Sequence, residues 1–276
     1  MLKQFPDLDK IIKATTMETL KRVVPEHLQK PVVQVLKEVA TVIIPKTFPL
    51  KTEQLSGDTK QFHEKLYRGY VEAFNLISSK LDNINKDDAN KPTNSEFRRL
   101  KLDEQVNFNA LKLHELYFSN ISDVRSEIAA DSTVFMRFSR DWGNFNNWQL
   151  EFRACGLAAK EGWAIVVYDP YKSRYYNVIV EGNEYGIPIG TVPVLVMDTH
   201  HHAWFKDYPG DDKINYLNAM MREINWSVVE ARMVLAEKSG LSNFFGIMPI
   251  YNTSSSQLLN NTIPSAPPIK GDQIVK

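Results

Sequence analysis

Asp198 closes an apolar, β-branched run, TVPVLVMD, and three consecutive histidines, His200, His201 and His202, follow it. A carboxylate and an imidazole placed this way can converge on one ion, because a strand fixes the first and the emerging turn aims the second. Asp198 and His202 are therefore candidate metal ligands. Alone, the D-x-x-x-H spacing is weakly specific, and a run of three histidines also fits a solvated loop or an adventitious metal site. The single cysteine, Cys155, supplies neither a thiolate cluster nor an intramolecular disulfide, which is compatible with a reducing compartment.

The elements that must position such residues come from a chain of 276 residues, long enough to bury a core as one large domain or two small ones. Lys+Arg and Asp+Glu are equal at 33 each, so no global field draws the protein to nucleic acid or to an anionic membrane, and neither is expected as a partner. No apolar run reaches the length of a membrane span, and the start, MLKQFPDLDK, lacks the charged-then-apolar layout of a secretory signal. Asp7, Asp9 and Glu18 argue against an organelle presequence. The expectation is a cytoplasmic protein or a component of a large particle, with no export by a signal peptide.

Thr15 and Glu18 form a capping box for a short helix, and a second helix after Pro31 carries Val32, Val35, Leu36, Val39, Ile43 and Ile44 on an apolar side that must be covered. A helical pattern resumes near Thr59 and runs through Phe62, Leu66, Tyr70, Phe74 and Ile77 to about Leu81. The polar stretch 82–95 predicts a loop, 108–121 another helix, and 139–160 two short ones. Three β-branched and aromatic runs, 163–169, 174–181 and 191–198, predict a small antiparallel sheet, and helix returns over 214–237. The Ser/Asn/Pro-rich tail from Asn252 reads as disordered or as an arm that orders on a neighbour. The expected fold class is α+β: a helical extension (1–47), a helical hairpin domain (48–122), an α/β metal-binding domain with the three-stranded sheet (123–251), and an extended tail (252–276).

Read as a block, DTHHHAWFKDYPGDDKINYLNAMMREINWSVVEAR resembles the C-terminal signature of the iron/manganese superoxide dismutases, with Asp198, His202, Ala203, Asp207, Tyr208, Tyr216, Leu217, Asn225, Trp226 and Val229 in register. FNALKLHELYF resembles the family's second-helix segment, which implies His114 as a third ligand; taken alone, the residue also fits a hydrogen-bonded histidine on an apolar helix face. LSGDTKQFH is similar to the segment that holds the remaining ligand, implying His63. LYRGYVEAFN aligns Tyr70 with the family's tyrosine beside the metal, in proton relay. Its spacing from His63 is one residue shorter than usual, which implies a lost bulge or a rotation of one of the two away from the metal. GWAIVVYD resembles a family strand and places Trp163 against the pocket, a position equally natural for a core tryptophan. The resemblance covers roughly 48–235.

Three imidazoles and a carboxylate suit one iron or manganese ion better than copper(I) or structural zinc. The departures lie around that set. His200 stands where the family has tryptophan, His201 where it has the glutamate that bridges to a partner subunit, and Phe205 where it has tyrosine. The family's gateway histidine is replaced by Leu66 or Tyr67. The glutamine that bonds metal-bound solvent is absent: one of its two positions is Ala110, the other falls near Asn183 and Glu184, and Glu184 is a possible substitute. Two functions follow as expectations. One is a metal-bound superoxide dismutase acting on superoxide with weak or impaired activity. The other is a non-catalytic structural subunit of a virion or ribosome-like particle, holding protein partners or copies of itself through the N-terminal extension and the tail.

Overall fold

A computed structural model describes residues 42–239 of the chain, apart from 88, 92, 122, 123, 125 and 211. The expected capping box at Thr15, most of the apolar helix after Pro31, and the tail lie outside these residues. Within them, 42–44 continue no helix. Pro45 explains this, since a proline pushes the residue before it out of the helical region. The backbone there is held by side chains instead: Asn75 bonds both the N–H and the C=O of Ile43, at 2.8 Å each, and the Tyr67 hydroxyl accepts from Lys46 N–H.

Ser and Asn side chains open the longer helices. Ser56 accepts from Thr59 N–H at the start of α1 (Gly57–Asn83), and Ser95 from Arg98 N–H at the start of α2 (Glu96–Asn120). Ser132 and Asn144 do the same for α3 (Thr133–Trp142) and α4 (Phe145–Ala158). Each such cap is worth roughly 1 kcal/mol. Gly143, at φ 83°, ends α3 in a conformation that glycine adopts without strain, so 133–158 becomes two helices. α2 starts twelve residues before the apolar pattern that announced it. Its first turns are polar and stabilised along the helix by pairs such as Arg99–Asp103, 3.0 Å, so they carry no buried stripe to read.

α1 and α2 run antiparallel, as the descending order of their partners shows: His63 meets His114, Phe74 meets Phe108 and Ser78 meets Glu104. The sheet is β1 (Gly162–Asp169), β2 (Arg174–Glu181) and β3 (Val192–Asp198), in the order β2-β1-β3 and antiparallel throughout. Pro193 sits on edge strand β3, where its missing N–H is tolerated, beside an irregularity at Val166/Val167. Gly162 is required where it is, because a Cβ there would collide with the carbonyl oxygen of Val180. After β3 come the single turn α5 (His201–Trp204), α6 (Lys213–Met220) and α7 (Trp226–Lys238), the last capped by Asn225. The segment 214–237 is thus two helices with a break before that cap.

One apolar cluster links hairpin and sheet, with Trp148, Trp163, Tyr67, Tyr117, Phe118 and Met197 among its fully buried members. A polar node fixes their relative position. The Asn120 amide spans the backbone N–H and C=O of Val196, at 3.1 and 2.9 Å, tying α2 to β3. Arg232 of α7 donates to Asn120 Oδ1, Val194 O, Leu116 O and Ser119 Oγ. Among the described residues no helix is long and apolar enough to cross a membrane.

Candidate metal centre

Four elements deliver four side chains to one point. α1 brings His63 in its second turn, α2 brings His114, β3 ends on Asp198, and α5 carries His202. One ligand-type atom from each lies within 4.8 Å of all the others. Asp198 Oδ2 is the centre of the group: His63 Nε2 is 2.9 Å away, His202 Nε2 3.2 Å and His114 Nε2 3.8 Å. Ligands bound at about 2.1 Å and separated by angles of roughly 90–120° lie about 3.0–3.6 Å from one another. The His202 separation falls in that range, that of His63 just short of it and that of His114 just beyond it.

Protonation fits as well. The His114 Nδ1–H donates to Ala110 O at 2.7 Å, since a carbonyl can only accept. That leaves Nε2 with a lone pair, and this atom is buried with no hydrogen-bond partner. An orphaned acceptor aimed at a carboxylate is unfavourable unless a cation lies between them. Burial lowers the His114 pKa to about 3, so the ring is neutral, the form that ligates metal. His63 is lowered too, by burial first. Burial opposes ionisation of Asp198, but His202 and His200, through charge and hydrogen bonds, outweigh it and hold the carboxyl well below its ordinary value.

The backbone behind the cluster is fixed from two sides. Tyr216 donates its O–H to Asp198 O at 2.7 Å, and Tyr117 in turn donates to the Tyr216 oxygen at 3.0 Å. The start of β1 holds the other side. Trp163 pairs with Asp198 in the sheet, and Gly162 O accepts from both the N–H and the hydroxyl of Thr199. Glu161 takes the N–H and Nδ1 of His201.

Tyr70 and Trp163 both reach the cluster. The Tyr70 ring is 5.3 Å from His114, and Trp163 packs edge-on against His114 at 4.9 Å and His200 at 5.3 Å. His63 and Tyr70 share one face of an unbroken α1. The shortened spacing needs no rotation, because seven residues turn the helix by about 700°, only about 20° short of two full turns. Tyr67, in contrast, points into the hairpin and donates to Glu115 Oε1 at 3.0 Å.

Two residues were misjudged or missed from sequence. Glu184 is exposed and accepts from the N–H of Asn183, so it does not stand in for the absent glutamine. Asn183 is the one that turns inward: its Oδ1 accepts from Trp163 Nε1 at 3.1 Å, and its side chain hydrogen-bonds Tyr70. The second is His200, whose Nδ1 and backbone N both reach Asp198 Oδ1, at 2.8 and 2.9 Å.

Comparison with known proteins gives the same direction. Residues 130–232 match the sequence model of a family described as iron/manganese superoxide dismutases, C-terminal domain. The chain is 32% identical over 195 residues to a superoxide dismutase [Fe] of Aquifex aeolicus, covering 69% of this chain and 90% of that protein. It is 31% identical over 176 residues to a superoxide dismutase [Fe] of Cupriavidus metallidurans, covering 63% and 85%. A superoxide dismutase [Mn] of Halobacterium salinarum is 31% identical over 114 residues, 41% of this chain and 56% of that one.

Proposed function

From the premise that this chain belongs to the iron/manganese superoxide dismutases, we propose that it holds one iron or manganese ion through His63, His114, Asp198 and His202 and acts on superoxide. The observation that carries the reading is the orphaned, neutral His114 Nε2 facing Asp198 Oδ2 among three imidazoles. A bound ion of either metal supplies one-electron chemistry, oxidising one superoxide to dioxygen and reducing a second, with two protons, to peroxide. The chain's own residues supply the pocket and the protons. Burial raises the Tyr70 pKa, so the phenol keeps its proton at neutral pH and has one to donate. Trp163 walls the pocket against His114 and anchors Asn183, which holds Tyr70 in place.

We place the activity below that of a fully tuned enzyme, because Asn183 is one methylene shorter than a glutamine and the outer partners of Asp198 and His202 are altered. A second reading is a non-catalytic subunit of a virion or ribosome-like particle, and what supports it is the replacement of the family's residues at His200, His201 and Phe205. Contacts through 1–47 and 252–276 would serve either reading, in the cytoplasm or within a particle.

The test is elemental analysis of the purified protein beside a superoxide disproportionation assay, repeated on Asp198→Ala. One iron or manganese per chain, lost in the variant, supports the metal centre. Unchanged metal content in Asp198→Ala refutes the ligand set, and full occupancy without turnover selects the structural reading.

A further inference from the structure

A cavity of about 330 Å³ opens between α4 and the end of α6, lined by Gln149, Arg153, Asn218, Met221 and Arg222. Its volume lies at the small end of the range for pockets that take small molecules. It shares no residue with the metal centre. Asn218 follows Tyr216, which bonds Asp198 O, by two residues, about 200° around α6, so the cavity lies on the other side of that helix.

The lining carries two guanidinium groups and no carboxylate. Elsewhere Arg68, Arg99, Arg137, Arg140 and Arg174 each hold an Asp or Glu side chain, whereas Arg153 and Arg222 hold none among the described residues. Arg153 is braced by neutral groups instead. Its Nη1 donates to Asn218 Oδ1 at 3.0 Å and its Nε to Gln149 O at 3.3 Å, which leaves Nη2 unused. A guanidinium only donates, so the oxygen of Asn218 is the atom engaged and its NH2 group stays available as a further donor. The frame around these donors is fixed. One turn after Arg153, Gly156 packs on Leu217 so closely that a Cβ would lie 2.9 Å from its side chain, and the Ser126 N–H bonds Arg222 O at 2.9 Å.

We propose that this cavity binds a phosphate group, free or carried by a small molecule, with Arg153 and Arg222 supplying the charge and the Asn218 and Gln149 carboxamides supplying neutral hydrogen bonds. Lys+Arg and Asp+Glu balance over the whole chain, so the attraction is local to these two arginines. Planar guanidinium forks bond phosphate oxygens two at a time. A phosphate monoester carries a charge of about −1.5 to −2 at neutral pH, which two arginines neutralise, whereas a monocarboxylate brings only one charge.

Binding is measured by titration calorimetry on the full chain, with inorganic phosphate, glycerol phosphate and acetate as probes. The two phosphate probes are expected to bind with dissociation constants of about 1 mM or below, and acetate at least about tenfold more weakly. Whichever phosphate probe binds tighter tells a free ion from an organic phosphate as the ligand. Arg222→Glu alters an exposed side chain and should weaken phosphate binding about 10- to 100-fold, the loss expected for charge-assisted hydrogen bonds. Asn218→Asp keeps the oxygen that Arg153 uses but replaces a donor with a negative charge, and a similar loss is expected. It decides the matter if R222E does not fold. No binding of either phosphate probe below about 10 mM, acetate binding as tightly as phosphate, or phosphate binding that survives both variants, as an anion held at the metal would, overturns the proposal.

Discussion

Replacing His114 with leucine separates a metal ligand from a core histidine by the sign of its effect on stability. In the metal-free protein the Nε2 atom is buried and unpartnered, and leaving a polar group in that state costs about 1–3 kcal/mol. Leucine removes this cost. Lost with it is the Nδ1–H bond to Ala110 O, worth about 1 kcal/mol. Ala110 lies within α2 and keeps its helical amide partner, so no new orphan is created. The balance is a metal-free variant about 0–2 kcal/mol more stable than the parent. In a chain of this size each kcal/mol moves the melting temperature by about 2–4 °C. Metal acts in the opposite direction. Manganese(II) at a hundred times its dissociation constant adds about 2.7 kcal/mol to the parent and nothing to a variant that cannot bind it. Thermal melts with chelator and with manganese therefore give two numbers for each protein. The expected pattern is an equal or higher melting temperature for H114L in chelator and no metal-induced rise. A variant destabilised by more than about 2 kcal/mol in chelator that still gains stability from manganese would show an ordinary buried histidine, and the ligand argument would be wrong.

Three further outcomes are expected. Arg232→Leu removes the donor that Asn120 Oδ1, Val194 O and Leu116 O share, although Val196 N–H stays on Asn120 Oδ1 and Ser119 Oγ on Leu116 O, and should cost about 1–3 kcal/mol in urea denaturation, with manganese affinity falling as β3 loosens from α2; unchanged stability would remove Arg232 as the node. Burial opposes ionisation of Asp141, but Arg140, the Tyr175 N–H and Arg174 outweigh it and lower its pKa, so its contribution is full above the ordinary carboxylate pKa and lost as pH falls through the lowered one. The stability gap between parent and Asp141→Asn should be largest at neutral pH and close in acid, and a gap that widens in acid contradicts the sign. Deleting 1–41 and 252–276, while keeping 42–47 because Lys46 pairs with Glu115, should abolish self-association in light scattering and leave manganese binding intact; a surviving dimer refutes the assignment of contacts to those segments.

The strands were legible because each rests on a local signal, whereas the quartet that the structure brings together, His63, His114, Asp198 and His202, was reached only through the family resemblance. The runs 163–169, 174–181 and 191–198 agree with the strands to within a residue, since β-branched residues bounded by turn signals say where pairing starts and stops. What a sequence hides is the direction of a side chain once the backbone turns. Gly182, at φ 58°, redirects the chain after β2, so that Asn183 enters the pocket and Glu184, the expected substitute, leaves it. Arg232 sits in a stretch, VVEARMVL, whose one carboxylate, Glu230, bonds the Thr133 N–H instead; the arginine's own partners are Asn120, Ser119 and backbone carbonyls, which leave no mark in a sequence. The start of α2 was invisible because a helix stabilised by its own exposed ion pairs has no buried stripe.

The positions that depart from the family resemblance are bound into one local device. Three consecutive residues at the start of β1 each hold a residue of the ligand turn: Trp163 pairs with Asp198 in the sheet, Gly162 O accepts twice from Thr199, and Glu161 binds His201. A strand has nearly fixed spacing along its length, so these contacts set where Asp198 and His202 project before any partner molecule is involved. Hydrogen bonds to a backbone N–H and to a side chain of the same residue also oppose rotation more than either does alone. Glu161 makes both to His201, and Gly162 O receives both from Thr199. Glu161, one residue before the glycine that the close strand approach requires, thus gives His201 a carboxylate from within the chain. The projection of Asp198 and of the turn that carries His202 is therefore held by contacts inside the chain.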